Sequence, residues 1–259
     1  MGVVNPRRPS RRERARATRL RMLRAAQQVF IERGYAGARM ADIAEHAGVA
    51  VQTLYFTFHT KPELLQACYE LAVLGEDEPR PPTQQTWYAA ALASRTGPAA
   101  VRHFAEGAAT IIARAAVLDD VIRSAGHEPD AARVREHNER LRRDGYRAII
   151  DHLATRFRLR AGLDADTATD LLLTLAGPAT YRQLVVEYGW THNKYVTWLT
   201  TALTQQLLST ARRSPPATSR PAHRLLAAAS PPPDPDHGRR RRARTRSDRQ
   251  ASDHADAAR

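Results

Sequence analysis

Residues 40–61 read MADIAEHAGVAVQTLYFTFHTK, two short helical patterns joined by a turn that contains a glycine. Ile43, Ala44 and Ala47 recur at helical spacing, Gly48 permits a sharp corner, and Val49 plugs the angle behind it. The second pattern restarts near Ala50. Its Leu54 and Phe58 lie four residues apart on one face, which leaves Gln52, Thr53 and Tyr55 on the opposite surface. This spacing predicts a helix-turn-helix, in which inward residues hold the pair together and outward residues can enter a groove of duplex. Directly after it, Thr60, Pro62 and Glu63 predict a capping box, with Thr60 at the N-cap and Glu63 at the third helical position, so another helix starts at Lys61.

Upstream, residues 13–33 are helical in pattern, with Leu20, Leu23, Ala26 and Phe30 on one face, Arg14, Arg21 and Arg24 elsewhere, and Gly34 as the stop. Residues 34–37 form a short connection. Downstream, residues 61–74 carry Leu64, Leu65, Cys68, Tyr69, Leu71 and Ala72 spread widely around the helix, which predicts burial on two sides. Residues 76–83, with Pro79, Pro81 and Pro82, cannot continue a helix and read as a loop. Helical patterns resume over residues 84–93, 98–113, 117–125, 131–157 and 165–187, and Pro178 after Gly177 should kink or divide the last of these. On a final helix over residues 190–211, Val196, Leu199, Leu203 and Leu207 make one stripe and Tyr195, Trp198 and Ala202 another, more apolar surface than one neighbour needs.

The chain has 259 residues, 42% of them hydrophobic, enough for a sizeable core. Sustained alternation with a period of two is missing, so the expected fold class is all-α. The net charge of +13 is concentrated at the ends. Residues 1–24 hold nine Arg against one Glu, net +8; residues 212–259 hold twelve Arg against five Asp, net +7; the middle is close to neutral at −2. Basic ends of this kind suit a polyanion such as a phosphate backbone. The single cysteine, Cys68, precludes an internal disulfide and reads as a small buried helix residue. No apolar run approaches the roughly 18 residues a membrane helix needs, which predicts a cytoplasmic, nucleoid-associated protein with no membrane partner. His103, His127, His137 and His152 lack the spacing of a zinc helix, and no phosphate-binding glycine loop or nucleophile elbow occurs. The expectation is no metal, no cofactor, no catalytic residue and no enzyme activity.

Ile43, Ala44, Ala47, Gly48, Val49, Leu54, Tyr55, Phe58 and Lys61 stand where the TetR-type transcriptional regulators of bacteria carry "IA..AGVS...LY.HF..K", and the chain resembles that family most sharply over residues 14–69. Two positions depart from it: Ala38 and Arg39 stand where the family usually places Thr, and Ala50 where it usually places Ser. Loss of an N-cap hydroxyl costs roughly 0.5–2 kcal/mol, which tertiary packing can absorb. The resemblance implies a helix-turn-helix DNA-binding domain (14–60, motif about 40–59) and a helical ligand-binding and dimerisation domain (61–211), while aperiodic, Pro- and Arg-rich composition predicts a basic disordered arm (1–13) and a disordered basic tail (212–259).

Within that frame Gln52 and Thr53 are expected to reach base edges, Ala50 and Val51 a thymine methyl, and Tyr55, Lys61 and Arg39 phosphates, with Met40 and His59 at the margin of the same surface. The resemblance further implies a small-molecule effector in a cavity of the body, for which the aromatic residues Trp87, Tyr88, Phe104, Tyr146 and Tyr181 are candidates. It also implies a homodimer paired through the final helices, with Val196, Trp198, Leu199, Leu203 and Leu207 at the interface. The expected function is a ligand-responsive repressor binding a palindromic double-stranded operator. The alternative is an architectural protein that coats nucleic acid nonspecifically through its Arg-rich ends.

Overall fold

Ser10 begins the described chain as a helix cap. Its hydroxyl accepts from the Glu13 amide at 3.2 Å and its own amide donates to the Glu13 carboxylate at 2.6 Å, the reciprocal pair of a capping box. The helix that follows, α1 (Arg11–Gly37), therefore starts two residues before the apolar pattern does, and residues 10–13 form its first turn rather than the end of an arm. The structure is a computed structural model and describes residues 10–75 and 80–209. The remainder of the basic arm (1–9), the acidic start of the loop (76–79) and the basic tail (212–259) lie outside the described residues.

Beyond α1 come α2 (Met40–His46), α3 (Val51–Phe58), α4 (Lys61–Leu74), a 3-10 turn at Pro82–Gln84, α5 (Thr86–Ala93), α6 (Gly97–Ser124), α7 (Pro129–Arg156), α8 (Ala165–Leu175), α9 (Pro178–Tyr181, continuing as a π-helical turn over Arg182–Glu187) and α10 (His192–Leu207). Among the described residues the only strand-like pairing is one antiparallel bridge, Leu159 with Leu208, so the chain is all-α. No helix of the described residues is long and apolar enough to cross a membrane.

Two expectations about helix breaks met different outcomes. The division at Pro178 occurs: α8 ends at Leu175 and α9 begins at Pro178. The interruption expected between residues 113 and 117 does not. Ala115 and Ala116 are buried within a continuous α6, and Arg114 spans to the end of α4, its Nε donating to the Ala72 carbonyl at 2.7 Å and its Nη2 to that of Val73 at 3.3 Å. Those carbonyls belong to the last turn of α4, which has no intrahelical donors left, so a guanidinium satisfies the helix end.

The apolar core lies in two clusters. The first joins Phe30 of α1, Ile43 of α2, Leu54 of α3 and Leu64, Leu65 and Cys68 of α4, and runs on into Leu118 and Ile122 of α6 and Val134 of α7. Cys68 is the inert packing residue its position suggested: burial pushes its thiol above the ordinary range and its Sγ lies 3.6 Å from the Leu23 carbonyl. The second joins Phe104, Ile112, Ile149, Ile150, Leu172, Tyr195, Leu199 and Leu203 across α6, α7, α8 and α10. α6 contributes to both. Its small buried residues, Ala100, Ala105, Ala108 and Ala109 among them, let α1, α4, α5, α7, α9 and α10 pack against it.

Candidate functional site

The corner between α2 and α3 forms as the glycine requires. Gly48 has φ +61°, in the left-handed region, and the turn closes through the Gly48 amide to the Glu45 carbonyl (3.0 Å) and the Val49 amide to that of Ala44 (3.0 Å). Leu54 and Phe58 are buried, and the Arg19 guanidinium of α1 covers the Phe58 ring at 4.5 Å. α3 is thus clamped from behind. Ala50, Gln52, Thr53, Tyr55 and His59 face outward, Val51 is partly buried, and Arg39 is exposed at the N-cap of α2.

Two of the sequence-selected positions have other duties. Met40 is buried in the head core, so it supports α2 from inside and cannot touch a partner. Lys61 is partly buried; its ammonium donates to the Tyr35 carbonyl at 2.9 Å and the Ala38 carbonyl at 3.3 Å, and lies 4.3 Å from the Tyr35 ring centre. Two of its three N–H groups are therefore committed to the connection between α1 and α2, leaving one for an outside oxygen. The capping box at Thr60 forms in its first half, with the Thr60 hydroxyl accepting from the Glu63 amide at 3.3 Å, while the Glu63 carboxylate meets His59 Nδ1 at 3.3 Å.

Two features of this surface escaped the reading of the sequence. Phe56 is 86% exposed on α3 although it is a large apolar side chain, with Leu54 and Phe58 on either side of it turned inward. The alternation L-Y-F-T-F hid it, because only a strict helical projection separates Phe56 from its buried neighbours. Second, Arg12, Arg16 and Arg19 of α1 border one surface groove with Thr53 and Thr57 of α3. Their spacing of four and three residues, legible in the sequence, puts them on one helical face beside α3.

In the body, α4, α6 and α7 with the segment before α5 enclose a cavity of about 620 Å³. Trp87 and Tyr146 line it, as do Tyr69, Val73, Ile112 and Arg142. Tyr88, Phe104 and Tyr181 do not, which corrects their assignment. Tyr88 and Phe104 buttress the wall from behind, with ring centres 5.6 and 6.0 Å from Trp87, and Phe104 also meets Tyr146 at 5.4 Å. Tyr181 belongs to the packing of α9 on α10, its hydroxyl 3.1 Å from His192 Nδ1 and its ring 4.8 Å from that of Tyr195. Gly107 makes the Trp87 wall possible: a Cβ there would lie 2.0 Å from the indole.

A polar cluster begins at the cavity wall with Arg142. Arg142 Nη2 donates to the Glu139 carboxylate at 2.6 Å, and Asp119 is buried close by, its carboxyl raised above the usual range because desolvation outweighs the pull of Arg142 and Arg123. Burial likewise pushes Tyr146 up to about 12, and its hydroxyl donates to the Ala176 carbonyl at 2.8 Å.

The assignment of three of the final helix's residues to an interface needs correction as well. Leu199, Leu203 and Leu207 are buried within the protomer's own second core cluster, as is Tyr195, and Val196 and Trp198 pack partly against it. The leucines are consumed by α6 and α8, the neighbours of α10, and cannot also meet a second chain.

Residues 22–68 match the model of "Bacterial regulatory proteins, tetR family". The HTH-type transcriptional regulator TtgR of Pseudomonas putida is 45% identical over 56 residues, which is 22% of this chain and 27% of that protein. The HTH-type transcriptional regulator CymR, also of Pseudomonas putida, is 42% identical over 67 residues, 26% of this chain and 33% of that one. The match to these relatives thus spans about a third of their length or less. Among solved structures, native NalD, the secondary repressor of the MexAB-OprM multidrug efflux pump in Pseudomonas aeruginosa, superposes with a TM-score of 0.60 at 18% identity over 75% of this chain and 98% of that one. The transcriptional regulator FadR from Bacillus subtilis, in complex with stearoyl-CoA, gives a TM-score of 0.57 at 15% identity over 71% and 96%. Residues 22–68 therefore match the helix-turn-helix head of the TetR family, and the chain shares its fold with solved transcriptional regulators.

Proposed function

We propose that the protein is a transcriptional repressor that binds a palindromic operator as a homodimer and releases it when a small molecule occupies the body cavity. The observation that carries this reading is α3, anchored by Leu54 and Phe58 while Gln52, Thr53, Tyr55 and Phe56 stand exposed on its outer face and Thr53 borders a groove shared with arginines of α1. Gln52 pairs with adenine and Thr53 with a neighbouring base edge; Phe56 and Val51 contact thymine methyls. Tyr55, Arg39 and the one uncommitted N–H of Lys61 hold phosphates, joined by Arg12 and Arg16, and so fix register without reading sequence. Two heads about 34–36 Å apart, or a near multiple, would meet successive major grooves.

α4 is the element through which the cavity acts on the head. Leu64, Leu65 and Cys68 sit in the head core, while Tyr69 and Val73 of the same helix line the cavity. It is tied to α7 by the paired amides of Gln66 and Asn138 (3.0 and 3.3 Å) and to α1 by the Gln27 side chain on the Cys68 carbonyl (3.2 Å). A ligand that tilts α4 therefore shifts the head, to the extent that it binds the two states unequally. With the leucine stripe buried, the homodimer face falls to the outward side of α10, where Trp190, Trp198, Thr197 and Thr201 share one surface.

Footprinting on DNA flanking the protein's own gene tests this. A protected region with dyad symmetry is the expected result, and uniform coating that disappears with salt would overturn it. The head's likeness to HTH-type regulators supports this reading over a nonspecific coat protein. Removing both Arg-rich ends separates the two: specificity persists with weaker affinity under the first and binding vanishes under the second.

A further inference from the structure

We propose that the body cavity takes an uncharged apolar molecule with a single hydrogen-bonding group, a hydroxyl or a carbonyl, that meets the phenol of Tyr69. This rests on the reading of the cavity as the effector site and names its ligand class.

The size is that of a site for a drug-sized ligand, at about 620 Å³. The walls are Val73, Leu74, Ile111, Ile112, Trp87 and Tyr146. Nearly every polar group inside is already taken. The Trp87 indole N–H donates to Gln85 Oε1 at 2.8 Å, the Tyr146 hydroxyl to the Ala176 carbonyl at 2.8 Å, and the Asn138 amide to Gln66 at 3.0 Å and to the Val134 carbonyl at 2.9 Å. Two groups of the lining are exceptions, the buried Nη1 of Arg142 and the phenol of Tyr69. Tyr69 lines the cavity, it is 8% exposed, and its hydroxyl has no hydrogen-bond partner among the described residues.

A charged ligand fares badly here. An anion would look to Arg142, but its Nη2 is held by Glu139 at 2.6 Å and its Nη1, though unpartnered, is fully buried. It would also have to pass Glu70 and Asp144, both exposed at the mouth. A cation would be drawn to those same carboxylates but would find no free one inside, since Glu139 is paired and Asp119 lies behind the wall. An ion seated among the apolar walls would be desolvated without a partner, which costs several kcal/mol. A neutral molecule escapes that cost and satisfies Tyr69 at the same time.

A matched set of pyrene probes tests the class on the full-length protein: pyrene itself, pyrenemethanol, pyrenecarboxylate and pyrenemethylammonium, with binding read by energy transfer from tryptophan and by release of operator DNA. Pyrenemethanol should bind more than tenfold tighter than either ion. Tyr69→Phe should weaken pyrenemethanol by about 3- to 10-fold, the worth of one hydrogen bond, and leave pyrene nearly unchanged. Because the hydroxyl has no partner among the described residues, the same substitution should leave the melting temperature where it was. Ile111→Trp fills the cavity and should abolish binding of all four; should that variant not fold, Val73→Trp serves. If an ion binds tightest and the filling variant blocks it, the ligand class is wrong and the effector reading stands. If the filling variant leaves binding unchanged, or no probe binds, the effector reading falls with it.

Discussion

The head and the body of this protein place their working side chains on opposite sides of the helices that carry them. In the head, α3 turns Leu54 and Phe58 inward to hold its position and presents Gln52, Thr53, Tyr55 and Phe56 to the outside. In the body, α4, α6 and α7 turn Tyr69, Ile112 and Tyr146 toward an internal cavity. On the proposed reading, a surface meant for a duplex must match one fixed partner, whose groove and phosphate spacing do not vary. A cavity only has to hold its shape while its lining changes. The two regions accordingly differ in how far they resemble known regulators: the family model matches the head over residues 22–68, against a shared fold at 18% identity over 75% of the chain.

The most severe test of that contrast is to attack the support behind the outward face. Leu54→Ala should lower stability by about 2–5 kcal/mol, since the residue is fully buried. The first core cluster runs from α1 through α4 into α6 and α7, so chemical denaturation should show one transition rather than a separate melting of the head. Two resolved transitions would mean that head and body are independent. Next in size is Gly107→Ala. The added Cβ would lie 2.0 Å from the Trp87 ring, so the indole must leave its place in the cavity wall. We expect a loss of about 1–3 kcal/mol from overpacking, a changed tryptophan emission spectrum and impaired ligand binding, with binding to DNA preserved.

Smaller effects separate readers from holders within the head. Gln52→Ala should cost about 1–3 kcal/mol at its cognate base pair and flatten the preference there, measured by binding to a set of singly substituted operators. Lys61→Ala should weaken all of those sites alike. It should also lower the melting temperature, because the ammonium closes the connection between α1 and α2 through the Tyr35 and Ala38 carbonyls. Equal and sequence-independent losses from both variants would remove the distinction. The smallest effect lies behind the cavity. The carboxyl of Asp119 is raised by burial, so its ionised form subtracts from stability; the penalty is complete above the folded-state value and fades as pH falls through it toward the unfolded one. Asp119→Asn should make stability less dependent on pH across that window, as read by thermal melts at a series of pH values.

Much of the head was legible because its signals are local. Gly48 must take a positive φ at that corner, Thr60 caps the amide three residues on, and the four-residue interval between Leu54 and Phe58 fixes which side of α3 is buried. Even the missed start of α1 was written plainly as Ser10 followed by Glu13, a capping box obscured by the arginines between them. Met40 was misread for a different reason: helical spacing did not show that the head core closes over the start of α2.

What the sequence determined by itself was the class of the fold, the helix-turn-helix and the outward row on its second helix, since each follows from interactions within one or two turns of chain. What only the tertiary structure decided was which of many similar apolar residues does which job. Trp87 of α5 and Phe104 of α6 are aromatic residues in ring contact, yet only the first lines the cavity, and Leu199, Leu203 and Leu207, apolar enough to meet a second chain, are buried by α6 and α8. Burial of that kind depends on where distant helices cross, and the periodicity of a single helix records which residues are apolar without recording what covers them.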